Sequence, residues 1–95
     1  YIIPFKMMAW ANLMHDKTEG RHVNSKDLRK HKNDVFQLFQ IVPEGEIVEV
    51  TGDVADSIDA FLEMIKGENI VFADLQIDSD LEAEIKALRE TYIRM

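Results

Sequence analysis

Ile3-Pro4-Phe5-Lys6-Met7-Met8-Ala9-Trp10-Ala11-Asn12-Leu13-Met14 is the stretch that decides the fold. Of the eleven residues from Pro4 to Met14, eight are apolar without counting the proline. Proline suits a first helical turn, where its missing N–H would be unpaired anyway. The stretch therefore predicts a helix from Pro4 to Lys17, with Gly20 as its terminator. On that helix Trp10, Leu13 and Lys17 share the face of Lys6, while Met8, Ala11 and His15 lie opposite. No face is wholly polar, so such a helix must be covered on more than one side. A single lysine inside it has to reach water, a counter-charge or a ligand.

Working outward, residues 18–23 form a polar loop. A second helix opens at Asn24 or Ser25, with Asp27 in its first turn. Its apolar stripe is Leu28, Val35, Leu38 and Phe39. Asp27, His31 and Asp34 line up beside that stripe at i, i+4 and i+7. Lys26, Arg29, Lys30 and Lys32 cover much of the rest, and Pro43 closes the segment. Ile47-Val48-Glu49-Val50 is extended by propensity. Val54, Ile58, Phe61, Leu62 and Ile65 repeat at helical spacing and predict a third helix from Asp53 to Lys66, ended by Gly67. Ile70-Val71-Phe72 reads either as a short strand parallel to residues 47–50 or as an irregular turn on the third helix. Ser79-Asp80-Leu81-Glu82 reads as a capping box. Leu81, Ile85, Leu88 and Tyr92 then carry a fourth helix. The expected fold is mainly α: one domain over 1–95, a compact array of about four helices with at most one or two very short extended segments.

Ninety-five residues suffice for one core. With no cysteine there is neither a disulfide framework nor a thiolate metal site. The composition fits a reducing compartment, and a cytoplasmic location is expected. No apolar run approaches the roughly 20 residues of a membrane span, so no membrane partner is expected. A net charge of -7 argues against binding nucleic acid over the whole surface. That charge is unevenly spread. Residues 1–42 hold seven Lys/Arg and four Asp/Glu, a balance of +3, whereas residues 43–95 hold four and fourteen, a balance of -10. A phosphate-bearing ligand should therefore meet the first two helices.

Each candidate site residue has a plain structural use beside its functional one. Lys6 can offer an ammonium to a phosphate from a rigid helix, or it can snorkel from a first turn. Asp27 can accept a proton or orient a nucleophile, or it can answer the free N–H groups of a helix start. Asp27, His31 and Asp34 together suit a surface network better than a complete Mg²⁺ or Mn²⁺ site, and no metal site is expected in this chain. Trp10, with Met7, Met8 and Met14, suits either a recognition surface or an ordinary core.

The run Ile3 to Trp10, followed by Val23-Asn24-Ser25-Lys26-Asp27-Leu28-Arg29-Lys30-His31-Lys32-Asn33-Asp34-Val35-Phe36, resembles the C-terminal helical part of the AbiEii/AbiGii-type nucleotidyltransferases. These are relatives of the polymerase-beta-like nucleotidyltransferases, and many are toxins of bacterial toxin–antitoxin systems. The resemblance is loose over the chain and close over residues 2–39. It rests on an apolar-Lys-x-x-Ala helix followed about twenty residues later by Lys-Asp-apolar at a helix start. It implies that Lys6 contacts nucleotide phosphates and that Asp27 belongs to the active site. For the whole protein it implies a nucleoside triphosphate, Mg²⁺, an RNA or protein acceptor and an antitoxin.

The family's Gly-Ser motif and metal-binding carboxylates precede the matching segment, and no Gly-Ser dipeptide occurs in these residues. This chain alone is therefore expected to be inactive, its helical part completed by an N-terminal catalytic domain. The first residue, Tyr1 rather than Met, fits that expectation. The other reading is a non-catalytic helical interaction or structural domain, with a homodimer through the first helix as one form of it.

Overall fold

Four α-helices pack around one core in the computed structural model, which describes residues 2–94. The protein is mainly α, as its apolar periodicities require. Helix α1 spans Ile2–Thr18 and α2 spans Ser25–Phe39. Helix α3 spans Gly52–Ile65 and α4 spans Leu81–Thr91.

The ends of α1 and α2 are written into the sequence. Gly20 takes the left-handed conformation at φ +83°. Its N–H bonds to the Lys17 carbonyl at 3.1 Å, and the Arg21 N–H bonds to the Asp16 carbonyl at 2.9 Å. That pair of bonds is a Schellman motif, and it closes the carbonyl end of α1. Three residues later the Asn24 side chain accepts from the Lys26 N–H at 2.8 Å and caps α2.

Helix α1 packs on both α2 and α3. Its inward side is Ile3, Pro4, Met7 and Trp10. Trp10, only 1% exposed, meets the Phe61 ring edge-on at a centroid distance of 5.3 Å. Phe36 stands against Phe61 at 6.4 Å and against Phe72 at 5.2 Å. The four rings link α1, α2, α3 and the segment after α3 into one aromatic chain, the preferred edge-to-face geometry recurring at both ends. Trp10 is therefore a core residue and not part of a recognition surface.

Of the two readings left open for Ile70-Val71-Phe72 the turn holds: Phe72–Leu75 is a single 3₁₀ turn, ended where Gln76 turns left-handed at φ 59°. Two expectations need correction, the first at the end of α4. The strand β1, Val48–Val50, pairs in parallel with β2, Tyr92–Arg94, which continues directly from α4. Val48 stands opposite Tyr92 and Val50 opposite Arg94. Tyr92, expected as the last position of the helical stripe, instead turns extended and joins β1, and the β-branched Ile93 suits that strand.

The second correction concerns the start of α4. Its cap is Asp80, whose side chain accepts from the Ala83 N–H at 2.8 Å. Ser79 instead donates to the Glu84 carboxylate at 3.2 Å. Asp and Ser cap equally well, so the choice between adjacent candidates falls to the tertiary demand of Glu84.

Candidate functional site

The Lys6 ammonium sits 3.1 Å from the Asp34 carboxylate, with about a fifth of its side chain exposed. The first turns of α1 thus lie beside the second half of α2, the antiparallel arrangement that a short loop imposes. Lys6 lies on the turn between the buried Ile3 and Trp10. An ammonium has three donors, and Asp34 is its one charged partner among the described residues.

Asp27 is elsewhere. It is exposed, in the first turn of α2, and has no ion-pair partner among the described residues. Seven residues separate it from Asp34, about 10 Å along a helix. Lys6 and Asp27 do not meet by contact; Lys6 meets the carboxylate two turns further on. Antiparallel packing explains this, since only a steep crossing would carry the start of α1 to the start of α2. On the helical wheel Asp27, His31 and Asp34 do share the flank turned toward α1, and all three expected residues fall where the i, i+4, i+7 spacing puts them. The Nδ1 atom of His31 is buried without a hydrogen-bond partner.

Uncovered apolar side chains adjoin the Lys6 end of α1. Ile2 is 59% exposed, Phe5 is 64% and Met8 is 41%. Ile2 and Ile3 continue into a shallow apolar groove with Leu38, Ile41, Val42 and Val48, of about 460 Å³. The expectation that α1 has more apolar surface than its neighbours cover holds on this side.

Most cations in the protein are answered. Arg21 pairs with Asp16, Lys32 with Glu68 and Lys66 with Glu63. Arg89 reaches Asp59 and Glu63, while Arg94 reaches Asp56. The Asp56 hydrogen bond, then its charge, raises the Arg94 guanidinium above its ordinary value, so it stays a fixed cation. Lys26, Arg29 and Lys30, on the solvent face of α2, have no acidic partner among the described residues.

One network escaped the sequence reading. Glu84 is buried in α4, accepting a hydrogen bond from the Gln40 side chain and a second from Ser79. Gln40 also bonds to the Phe36 carbonyl at 3.2 Å and so ties the end of α2 to α4. The signal was the break in polarity at Glu84: it sits beside Ile85, on the face shared with Leu88.

Among the described residues no group of three or more His, Asp or Glu side chains could hold a metal ion. Asp34, the carboxylate nearest Lys6, is already engaged by that ammonium. The described residues do not by themselves form a Mg²⁺ site. The arrangement supplies a held ammonium, a free carboxylate at a helix start and an open apolar shoulder. No family model matches the chain, and neither a curated protein nor a solved structure matches it.

Proposed function

We propose that this chain is the C-terminal helical part of a nucleotidyltransferase-like protein, with Lys6 contacting the phosphates of a nucleoside triphosphate and Asp27 serving as a supporting carboxylate. The observation that carries the reading is the Lys6 ammonium, held by Asp34 at the edge of the core. Asp34 positions the ammonium and leaves N–H donors free for a phosphate, while its own charge offsets part of the attraction. The uncovered Ile2 and Phe5 beside it are the face for a domain that brings the metal-binding carboxylates and the remaining wall of the site. The acceptor is RNA or protein, and an antitoxin partner belongs to the same reading.

A second reading is favoured by the same exposed side chains. A non-catalytic interaction domain, or a homodimer through α1, would also bury Ile2, Phe5 and Met8. There the Lys6–Asp34 pair would be only structural.

The two readings separate in a titration of this chain with inorganic triphosphate, followed by NMR. Nucleotide binding shifts the Lys6 and Asp34 signals, and Lys6→Met abolishes the shifts without changing the fold. Shifts confined to Lys26, Arg29 and Lys30, or no shifts at millimolar ligand, contradict the proposal.

A further inference from the structure

A groove of about 540 Å³ runs between the end of α2, residues 42–47 and α4. Phe39, Val42 and Ala87 give it an apolar floor, with the exposed Ile47 at its edge, and Glu44, Glu46 and Glu90 also line it. The three rim carboxylates are exposed, and none has a cationic partner among the described residues. The half-buried cations Lys6 and Lys32 are each answered by an acid, whereas these three exposed acids stand unpaired around apolar side chains. Glu84 at the groove wall is different: its carboxylate is already taken by Gln40 and Ser79, so it shapes the wall and contributes no free charge.

The rim has a built shape. Gly45 adopts φ +84°, and the Glu46 N–H bonds to the Pro43 carbonyl at 3.1 Å. That tight turn fixes the backbone of Glu44 and Glu46 on either side of a residue only glycine accommodates without strain. Gln40 and Glu84 lock the opposite wall.

We infer that this groove docks a basic, amphipathic segment of a partner protein. Arginine and lysine carry apolar stems under charged heads, and the groove offers that pattern in complement: stems on Phe39, Val42 and Ala87, heads on Glu44, Glu46 and Glu90. Charge complementarity selects this occupant over a purely apolar one, which would leave the rim acids facing a desolvated contact. It also excludes a polyanion. The groove adjoins the apolar shoulder of α1, sharing Val42, Pro43 and Glu46 with it, but the inference does not rest on nucleotide transfer.

The test uses a twelve-residue peptide alternating arginine and leucine, titrated into the intact chain and read by NMR and calorimetry. Expected are shifts at Gly45, Ile47, Ala87 and Glu90, with binding that weakens as salt rises. The triple variant Glu44→Gln, Glu46→Gln, Glu90→Gln should weaken binding by about ten-fold or more, since three rim contacts to charged heads are lost. A matched variant, Asp74→Asn, Asp78→Asn, Glu82→Gln, removes the same charge from another exposed surface and should leave affinity within about two-fold. Equal losses in both variants would reduce the effect to diffuse attraction and overturn the inference. So would shifts elsewhere, or equal affinity for a glutamate–leucine peptide. Salt-sensitive self-association abolished by substituting Lys26, Arg29 and Lys30 would give the groove to a second copy, and would overturn it too.

Discussion

Lys6 shows how a residue's need can be plain while its partner is not. An apolar helix with one lysine demands a counter-charge, and Asp34 supplies it at 3.1 Å. Which carboxylate of α2 does so depends on how two helices slide past each other, which local periodicity does not encode. Asp27 and Asp34 share a flank, so the motif match and the packing point to different members of one row. Because both partners are about one-fifth to one-quarter exposed, solvent screens the pair. A double-mutant cycle of Lys6→Met and Asp34→Asn, measured by urea unfolding, should give a coupling of about 0.5–1 kcal/mol. Trp10 and Phe5 make a sharper contrast at the same scale. Both are aromatic residues of α1, yet Trp10 is 1% exposed and Phe5 is 64% exposed. Trp10→Ala should cost about 3–5 kcal/mol, whereas Phe5→Ala should stay within about 0.5 kcal/mol. Comparable losses at the two positions would mean that α1 is rotated from the orientation described.

Among the elements, the helices were legible from their apolar stripes, backed at α2 by the Asn24 cap and at α4 by a cap one residue from the expected Ser79, while α3 has no side-chain cap. The β1–β2 pair was only half legible. Residues 47–50 were visibly extended, but their partner lies forty-four residues away at the end of a helix, where three residues carry no periodicity of their own. Tyr92 marks that junction, and its burial raises the phenol above the usual value. A raised phenol pKa means that the folded state holds the proton more tightly than the unfolded chain. The stability it confers is complete below about pH 10 and is lost as pH rises through the folded value. Tyr92→Phe should therefore flatten the alkaline limb of the stability curve while leaving neutral stability within about 1 kcal/mol, since the phenol donates no hydrogen bond among those described. An unchanged alkaline limb would assign that limb to other groups. The Glu84 network is the other element-level feature, tying α2 to α4 through Gln40. Glu84→Ala should cost about 1–3 kcal/mol by removing the hydrogen bonds from Gln40 and Ser79 that tie α4 to α2, and the double variant Gln40→Leu, Glu84→Met should lose less. Thermal unfolding of the two variants decides it.

At the scale of the whole molecule, charge and apolarity are both unevenly placed. Residues 1–42 carry the net positive balance and residues 43–95 the negative one. The fold turns that linear division into distinct surfaces: the solvent face of α2 with Lys26, Arg29 and Lys30, and the acid-rimmed groove beside α4. Between them the Lys6–Asp34 pair adjoins the uncovered shoulder of α1. The division of charge could be read from the residues, but the groove could not, because it needs α2, a glycine turn and α4 brought together. The central claim is that Lys6 and Asp27 serve nucleotide transfer when this helical part is joined to a domain carrying the metal-binding carboxylates. The direct measurement is the transfer rate of such a complete protein, set against its melting temperature, for Lys6→Ala and Asp27→Asn. Lys6→Ala should slow transfer about 10- to 150-fold, the worth of one charge-assisted contact of roughly 1.5–3 kcal/mol, and Asp27→Asn should slow it while keeping the start of α2 intact. Both variants should melt within a few degrees of the parent. Normal turnover by both, at normal melting temperatures, would contradict the claim and leave the two residues with structural roles alone.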